Sequence, residues 1–330
     1  MPRDLWTMIA EAQQDFARLL ARDDPQQLAA YLCNVSRHSA SHGIAQGRME
    51  YERIQHDSRY RDFVVRMAHD KLILLAEAVG AIAPDNPEQG ELGRGVRSRP
   101  EDLVERIEQR LGLTIAPPAV DGAMLKLQTS RGLFGERDLN AIYTAHLLSG
   151  LRAGKDAPTS VCEIGGGTGR VALWARRMGL QSYAIIDLPL VNVVQGFYAM
   201  KTMPPEDVIL YGERPPGSAT GCVQILPPHA VDELGDTSFD LFLNQDSMPE
   251  MDGAIAARYL AWIARVCREA FVSINHETKP PYGDGMAHVS VPEMVDQVGG
   301  LRLQSRYPYW LRRGYVVEIY AAQSALTSAR

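Results

Sequence analysis

The chain has 330 residues, of which 45% are hydrophobic, and a net charge of −6 at pH 7, which allows one large domain or two smaller ones. The acidic balance argues against bulk binding to nucleic acid or to an anionic membrane. We expect neither a signal peptide nor a membrane span, since no run approaches the roughly 20 apolar residues of a span. Four separated cysteines without a CxxC pair indicate reduced thiols, a cytoplasmic protein and no zinc ribbon.

The first 150 residues predict mostly helix. Residues 60–79 place apolar side chains on one stripe, and Gly80 follows as a stop signal. Further helices are predicted in LWTMIAEAQQDFARLLAR, DDPQQLAAYLCNVSRH, EDLVERIEQRLG and RDLNAIYTAHLLSGL. The segment AIAPDNPEQGELGRGVRSRP is rich in proline, glycine and charge, which predicts a long loop or a hinge.

After residue 158 short apolar runs alternate with helical stretches. The predicted strands are SVCEI, SYAIID, CVQIL, FDLFLN, AFVSIN and a closing pair, LRLQSRYPYW and GYVVEIYAA. This pattern predicts an α/β fold with a doubly wound parallel sheet and an antiparallel hairpin at one edge. We therefore divide the chain into a helical region, 1–154, which supplies a substrate lid and a dimer contact, and a ligand-binding domain, 155–330.

The stretch VCEIGGGTG, residues 161–169, follows the first of these strands and opens a helix. Glycines at such a turn allow the backbone to approach a ligand closely. The spacing is GxGxG rather than the GxGxxG of a dinucleotide site. Acids stand at two strand ends, Glu163 before the glycines and Asp187 after the next strand, where a carboxylate can accept hydrogen bonds from a ribose diol.

The E-x-G-x-G-x-G motif and the acid ending the second strand resemble the class I S-adenosylmethionine-dependent methyltransferases. The resemblance implies a Rossmann-like sheet of seven strands closed by an antiparallel strand. It places Glu163 at the amino-acid end of the cofactor, the glycines along its methionine part, and Asp187 at its ribose. The cofactor-binding residues expected on this basis are Glu163, Gly165, Gly166, Gly167, Asp187, Leu188, Leu226, Asn244 and Tyr143.

A narrower resemblance rests on EIGGGTGRVALWARRM, IIDLPLVNVVQGFYAM, NQDSMPEM, SINHE and the upstream NPEQG. Together these segments resemble a family of bacterial sugar O-methyltransferases over about residues 40–320. The resemblance implies a small-molecule substrate that contains a sugar, with neither nucleic acid nor membrane as partner. Methylation of a non-sugar small molecule or a peptide stays open, as does a nicotinamide-dependent oxidoreductase.

Three polar residues are predicted at the carboxyl ends of the fourth and fifth strands, where ligands of such sheets bind. Asp246 and Glu250 follow FDLFLN, and His276 ends VSINH. An alcohol needs a base near neutral pH, and we expect His276 to be that base, with Asp246 orienting a sugar hydroxyl. A divalent metal held by Asp246, Glu250 or Glu277 is an alternative, although no tight metal-ligand spacing is present and no metal is assigned.

Two arginines precede the sheet in TSRGLFGERDLNAIYTAH. Either Arg131 or Arg137 would suit an acidic group of the substrate, such as a nucleotide phosphate. A solvated surface position is the alternative for each of them.

Overall fold

A computed structural model describes the chain over residues 9, 11, 13–41, 48–84, 98–120, 126–152, 159–218, 220–277 and 288–322. The NPEQG segment and the predicted domain boundary lie outside these residues, as does most of the loop before His288. No helix of the described part combines the length and apolarity needed to cross a bilayer.

The predicted helices are confirmed wherever the chain is described. Asp24 caps one of them by accepting from the backbone N–H groups of Gln26 and Gln27, both at 3.0 Å, and Gly112 ends another in the left-handed region at φ +68°. The helices are α1 Gln14–Leu20, α2 Pro25–Leu32, α3 Arg48–His56, α4 Ser58–Ala78, α5 Pro100–Leu111, α6 Glu136–Arg152, α7 Arg170–Arg177, α8 Pro189–Thr202, α9 Ala230–Leu234, α10 Gly253–Val266 and α11 Val291–Val298.

The strands follow the predicted alternation. They are β1 Leu127–Thr129, β2 Gly132–Phe134, β3 Ser160–Ile164, β4 Ser182–Ile186, β5 Val208–Leu210, β6 Val223–Leu226, β7 Phe239–Gln245, β8 Cys267–His276, β9 Leu301–Pro308 and β10 Tyr315–Ala322. Strands β1 and β2 form a separate antiparallel pair that the sequence did not predict.

The main sheet has the order β5-β6-β4-β3-β7-β8-β10-β9. In the described sheet β10 runs antiparallel to both β8 and β9, and the other neighbouring strands are parallel, which confirms the predicted α/β fold with a mostly parallel sheet. The predicted count of seven strands is one short, because the short strand β5 adds a parallel edge beside β6.

Neighbouring strands bring their carboxyl ends to one edge of the sheet. Ile164 of β3 pairs with Ile186 of β4 and with Asn244 of β7, and Asn244 pairs in turn with Ser273 of β8. Residues that follow these strands therefore meet at a common rim, as expected for a ligand site in a parallel sheet.

The helical region and the sheet share one hydrophobic core. Leu72 of α4, Leu103 of α5 and Ile142 of α6 belong to the same buried cluster as Trp174 of α7 and Leu243 of β7. Burying an apolar side chain of this size contributes roughly 1.5–3 kcal/mol. The division into 1–154 and 155–330 stays a prediction, and we expect a chain that starts near residue 155 to expose this core.

A buried lysine ties the helical region to the closing hairpin. Lys71 of α4 is 7% exposed and donates from Nζ to the carbonyl oxygen of Leu311 at 2.7 Å. The same ammonium forms an ion pair with Glu136 of α6 at 2.9 Å. Lys71 therefore fixes the turn that joins β9 to β10 against α4 and α6.

Replacing this ammonium should destabilise the protein. Lys71→Met leaves the Leu311 carbonyl oxygen without its charged donor, so we expect the free energy of unfolding to fall by about 1–3 kcal/mol. The exposed Lys201→Met is the matched control, with an expected change of at most about 0.5 kcal/mol. Urea unfolding measures both, and equal effects would show that the Lys71 contacts are not stabilising.

Candidate functional site

Two adjoining chambers lie at the carboxyl rim of the sheet. The first, here the polar cleft, is lined by Arg137, Asn140, Ala141, Glu163, Gly165, Gly166, Gly167, Thr168, Arg170, Val171, Asp187, Gln245, Asp246, Ser247, Glu250, Arg312 and Tyr315. The second, here the apolar pocket, is lined by Ile164, Gly165, Ile186, Asp187, Leu188, Pro228, Ser247, Met251, Ile255 and Tyr259. Gly165, Asp187 and Ser247 belong to both, so the two chambers adjoin at these residues.

The glycine loop rests directly on the segment that follows β7. A Cβ at Gly165 would lie 2.0 Å from the Ser247 Oγ, and Gly165 adopts φ +77°. Ser247 donates to the Ile164 carbonyl oxygen at 3.0 Å and accepts from the Asn244 Nδ2 at 2.7 Å. Asn275 of β8 donates to the Asn244 Oδ1 at 3.0 Å. Position 165 must be glycine for this arrangement to exist.

Asp187 lies between the two chambers and is 8% exposed. Its carboxylate accepts from the Leu188 N–H at 2.8 Å, from the Gly167 N–H at 3.1 Å and from the Gln195 Nε2 at 2.8 Å. Burial raises the pKa of Asp187 to about 7, against the lowering effect of these hydrogen bonds. A hydrogen bond from the Gly166 N–H also lowers the pKa of Asp187.

Glu163 lies beneath the glycine loop, where its Oε2 is 3.0 Å from the position of a Cβ at Gly166. Tyr183 donates its hydroxyl proton to the Glu163 Oε2 at 2.9 Å. Burial raises the pKa of Glu163 to about 8, the Tyr183 hydrogen bond lowers it, and the nearby Asp187 raises it again. Glu163 is therefore a largely neutral acid at pH 7, able to donate a hydrogen bond.

Asp246 stands at the opposite end of the polar cleft in an unusual conformation. Its φ of +69° lies in the left-handed region, which non-glycine residues rarely adopt. The Arg312 Nη1, from the turn between β9 and β10, donates to both carboxylate oxygens at 2.9 and 3.0 Å. The Arg312 guanidinium also lies 3.9 Å from the centre of the Tyr315 ring. Backbone strain held by surrounding contacts is common at functional sites.

The side chain of Glu250 lines the same end of the cleft and forms neither a hydrogen bond nor an ion pair with any residue the structure describes. Burial raises the pKa of Glu250 to about 7, and the charge of Asp246 raises it further. Arg137 and Arg312 act in the opposite direction. The result is a carboxyl group that exchanges its proton near neutral pH and faces open space.

The predicted base lies outside this cleft. His276 is paired with Tyr315 across β8 and β10, and its ring packs edge-on against the Tyr315 ring at 5.6 Å between centres. Tyr315 lines the cleft, whereas His276 does not. The antiparallel strand β10 therefore places an aromatic ring at the rim where the sequence predicted histidine.

Three of the expected cofactor contacts also lie elsewhere. Asn244 is 0% exposed and donates a hydrogen bond to the Ser247 Oγ. Leu226 is buried in the core beside α9. Tyr143 packs against Tyr309 at 5.2 Å between ring centres. The other expected contacts line the site, with Leu188 in the apolar pocket.

Sequence reasoning found Arg137 of α6 but missed Asn140 of the same helix, Tyr259 of α10 and the residues beside the hairpin turn. Asn140 and Tyr259 sit inside helical patterns, where polar and aromatic residues have no marked spacing. Arg312 and Tyr315 belong to a short joint, LRRGY, whose only signal is its paired positive charge. Among the described residues there is no group of three His, Cys, Asp or Glu side chains arranged to hold a metal, and Glu277 pairs with Arg306 at 2.5 Å.

No protein-family model matches the chain, and no curated protein matches it. Its fold is similar to that of the mitomycin 7-O-methyltransferase MmcR (16% identity, TM-score 0.41), over 56% of this chain and 57% of that one. It is also similar to a Burkholderia thailandensis 1,6-didemethyltoxoflavin N1-methyltransferase with bound S-adenosylhomocysteine (19% identity, TM-score 0.38), over 55% of this chain and 78% of that one. A third similar structure is the [4+2]-cyclase SpnF (15% identity, TM-score 0.39), over 55% of this chain and 81% of that one. The chain thus spans little more than half the length of MmcR.

The contact between Gly165 and Ser247 can be tested with two alanine variants. Gly165→Ala and Gly221→Ala both place a side chain at positive φ, +77° and +73°, but only the first meets another atom within 4 Å. We expect Gly165→Ala to lower the free energy of unfolding by about 1–3 kcal/mol more than Gly221→Ala, because Ser247 must move. Equal losses in urea unfolding would contradict the packing described above.

Proposed function

We propose that this chain is an S-adenosylmethionine-dependent methyltransferase that acts on a hydroxyl of a sugar or of a glycosylated small molecule. The observation that carries the proposal is the pair of adjoining chambers, in which an apolar pocket and a polar cleft meet at Gly165, Asp187 and Ser247. A nucleoside joined to an amino acid has the matching shape and polarity. The GxGxG loop and both acids agree with this cofactor.

The residues that line the two chambers fit S-adenosylmethionine. Leu188, Ile255 and Tyr259 offer apolar surface for an adenine ring. Asp187 lines both chambers, and its carboxylate suits a ribose hydroxyl as hydrogen-bond acceptor. Asn140 is 8% exposed, lines the polar cleft, and has a side-chain oxygen without a hydrogen-bond partner in the described part of the chain. That oxygen suits the ammonium of the methionine part, since a buried acceptor is costly unless a donor reaches it.

The far end of the polar cleft suits a hydroxylated acceptor. It presents Gln245, Asp246, Glu250 and Arg312, and the aromatic surface there is Tyr315. Such a surface hydrogen-bonds to several hydroxyl groups and offers little area to a flat apolar ring. We therefore favour a sugar over a phenol as acceptor.

Bound S-adenosylmethionine would supply an electrophilic methyl group, and the protein must align the acceptor oxygen and take its proton. Glu250 is the group suited to that proton, because its carboxylate faces the cleft and its pKa of about 7 matches a base working at neutral pH. Asp246 is held by Arg312 and orients the acceptor. Glu250 thus replaces His276 as the proposed base.

Calorimetry with S-adenosylhomocysteine tests the cofactor. We expect a dissociation constant of the order of micromolar for the wild type and no comparable heat with NADH. Asp187→Asn should weaken binding by about 1–3 kcal/mol, since the charged acceptor for the ribose is lost. The exposed Asp236→Asn should bind as the wild type does. Failure of the wild type to bind S-adenosylhomocysteine would refute the proposed function.

Methyl transfer to a panel of sugars tests the base. On the best acceptor, Glu250→Gln should lower kcat by roughly 10²–10⁴-fold, whereas His276→Ala should stay within a few-fold of the wild type. A base must be deprotonated, so wild-type kcat should be low below pH 7 and rise to a plateau above it. Both variants should keep their affinity for S-adenosylhomocysteine. If Glu250→Gln kept the wild-type kcat and His276→Ala were inactive, His276 would be the base.

A further inference from the structure

The cations of the polar cleft are not all neutralised. Arg170 pairs with Asp138 at 2.5 Å, and both side chains are less than a tenth exposed. Arg312 pairs with Asp246 through two contacts. The exposed Arg137 lines the same cleft, and its side chain makes neither a hydrogen bond nor an ion pair with any described residue.

The acids nearest to Arg137 already have other partners. Its charge interacts beyond ion-pair distance with those of Asp246, Glu136 and Glu50. Glu50 accepts a hydrogen bond from the Tyr60 hydroxyl at 3.0 Å. Arg312 holds Asp246, and Lys71 holds Glu136 at 2.9 Å. Glu250 also feels the charge of Arg137, but burial keeps the pKa of Glu250 at about 7, so its negative charge is incomplete at neutral pH. The guanidinium of Arg137 therefore lacks a full counter-charge within the cleft.

The position of Arg137 points it toward the acceptor end. It lies in the first turn of α6, with Asn140 and Ala141 three and four residues later on the same cleft-facing side. Its electrostatic partners, Asp246 and Glu250, are the residues at which the acceptor is proposed to bind. The other arginine singled out from the sequence, Arg131, is tied to Glu108 by three contacts of 2.8–3.2 Å and does not line the cleft.

We propose that Arg137 binds an oxyanion carried by the acceptor, so that the substrate is an acidic sugar bearing a carboxylate or a phosphate. This inference rests on the proposed function and specifies its substrate class. A guanidinium presents a planar fork of N–H donors that matches both oxyanions and binds them in a bidentate manner. The alternative is that Arg137 binds the carboxylate of the cofactor's amino-acid part instead of an oxyanion on the acceptor.

Binding of matched sugars to the protein saturated with S-adenosylhomocysteine tests the inference. The probes are methyl glucoside, methyl glucuronide and glucose 6-phosphate, titrated by NMR into the wild type, Arg137→Gln and the control Arg131→Gln. We expect at least one anionic sugar to bind about tenfold or more tightly than methyl glucoside to the wild type and to Arg131→Gln. Arg137→Gln should abolish that preference. Which anionic sugar is preferred distinguishes a carboxylate from a phosphate.

Three results would overturn the inference. One is equal affinity of the wild type for neutral and anionic sugars, and another is no binding of either anionic sugar. The third is an Arg137→Gln variant that keeps the sugar preference but loses about tenfold in affinity for S-adenosylhomocysteine, with 5′-methylthioadenosine unaffected, because Arg137 would then serve the cofactor carboxylate. A wild type that binds sugars but not S-adenosylhomocysteine would instead contradict the proposed function.

Discussion

The site depends on one close contact, that of the Ser247 side chain with the backbone at Gly165. The Ser247 Oγ occupies the space that a side chain at position 165 would need, and Asn244 holds it there. Through Asn275 the same hydrogen bonds reach β8. The glycine loop after β3 and the segment after β7 are thus fixed to each other, and the two chambers are joined at that contact.

A second set of contacts places charge at the other end of the cleft. Lys71 of α4 fixes the turn of the closing hairpin, and that turn presents Arg312 to Asp246. Asp246 keeps a left-handed backbone conformation while its carboxylate is held on both oxygens. The helical region therefore contributes to the Asp246 end of the cleft through the hairpin, as well as through the side chains of α6.

The sequence predicted what depends on local pattern. Glu163 and Asp187 were found because each stands at the end of an apolar strand, Glu163 just before the glycine turn, and the sheet brings such ends together. His276 also ends a strand, but its exposure depends on β10, which is distant in sequence and places Tyr315 over the rim. The role of Arg312 could not be predicted either, since only the packed hairpin turn brings it to Asp246. Strand β5 was missed because three residues are too few to show a period.

A crystal structure with S-adenosylhomocysteine tests the central claim, that a single ligand spans both chambers. The account predicts the adenine in the apolar pocket beside Leu188 and Tyr259. The sulfur should face the Glu250 carboxylate at a distance of roughly 6–8 Å. That distance leaves room for a methyl group on the sulfur, an acceptor oxygen about 3 Å from the methyl carbon, and the carboxylate about 3 Å from that oxygen. Adenine outside the apolar pocket, or a sulfur turned away from Glu250, would contradict the account.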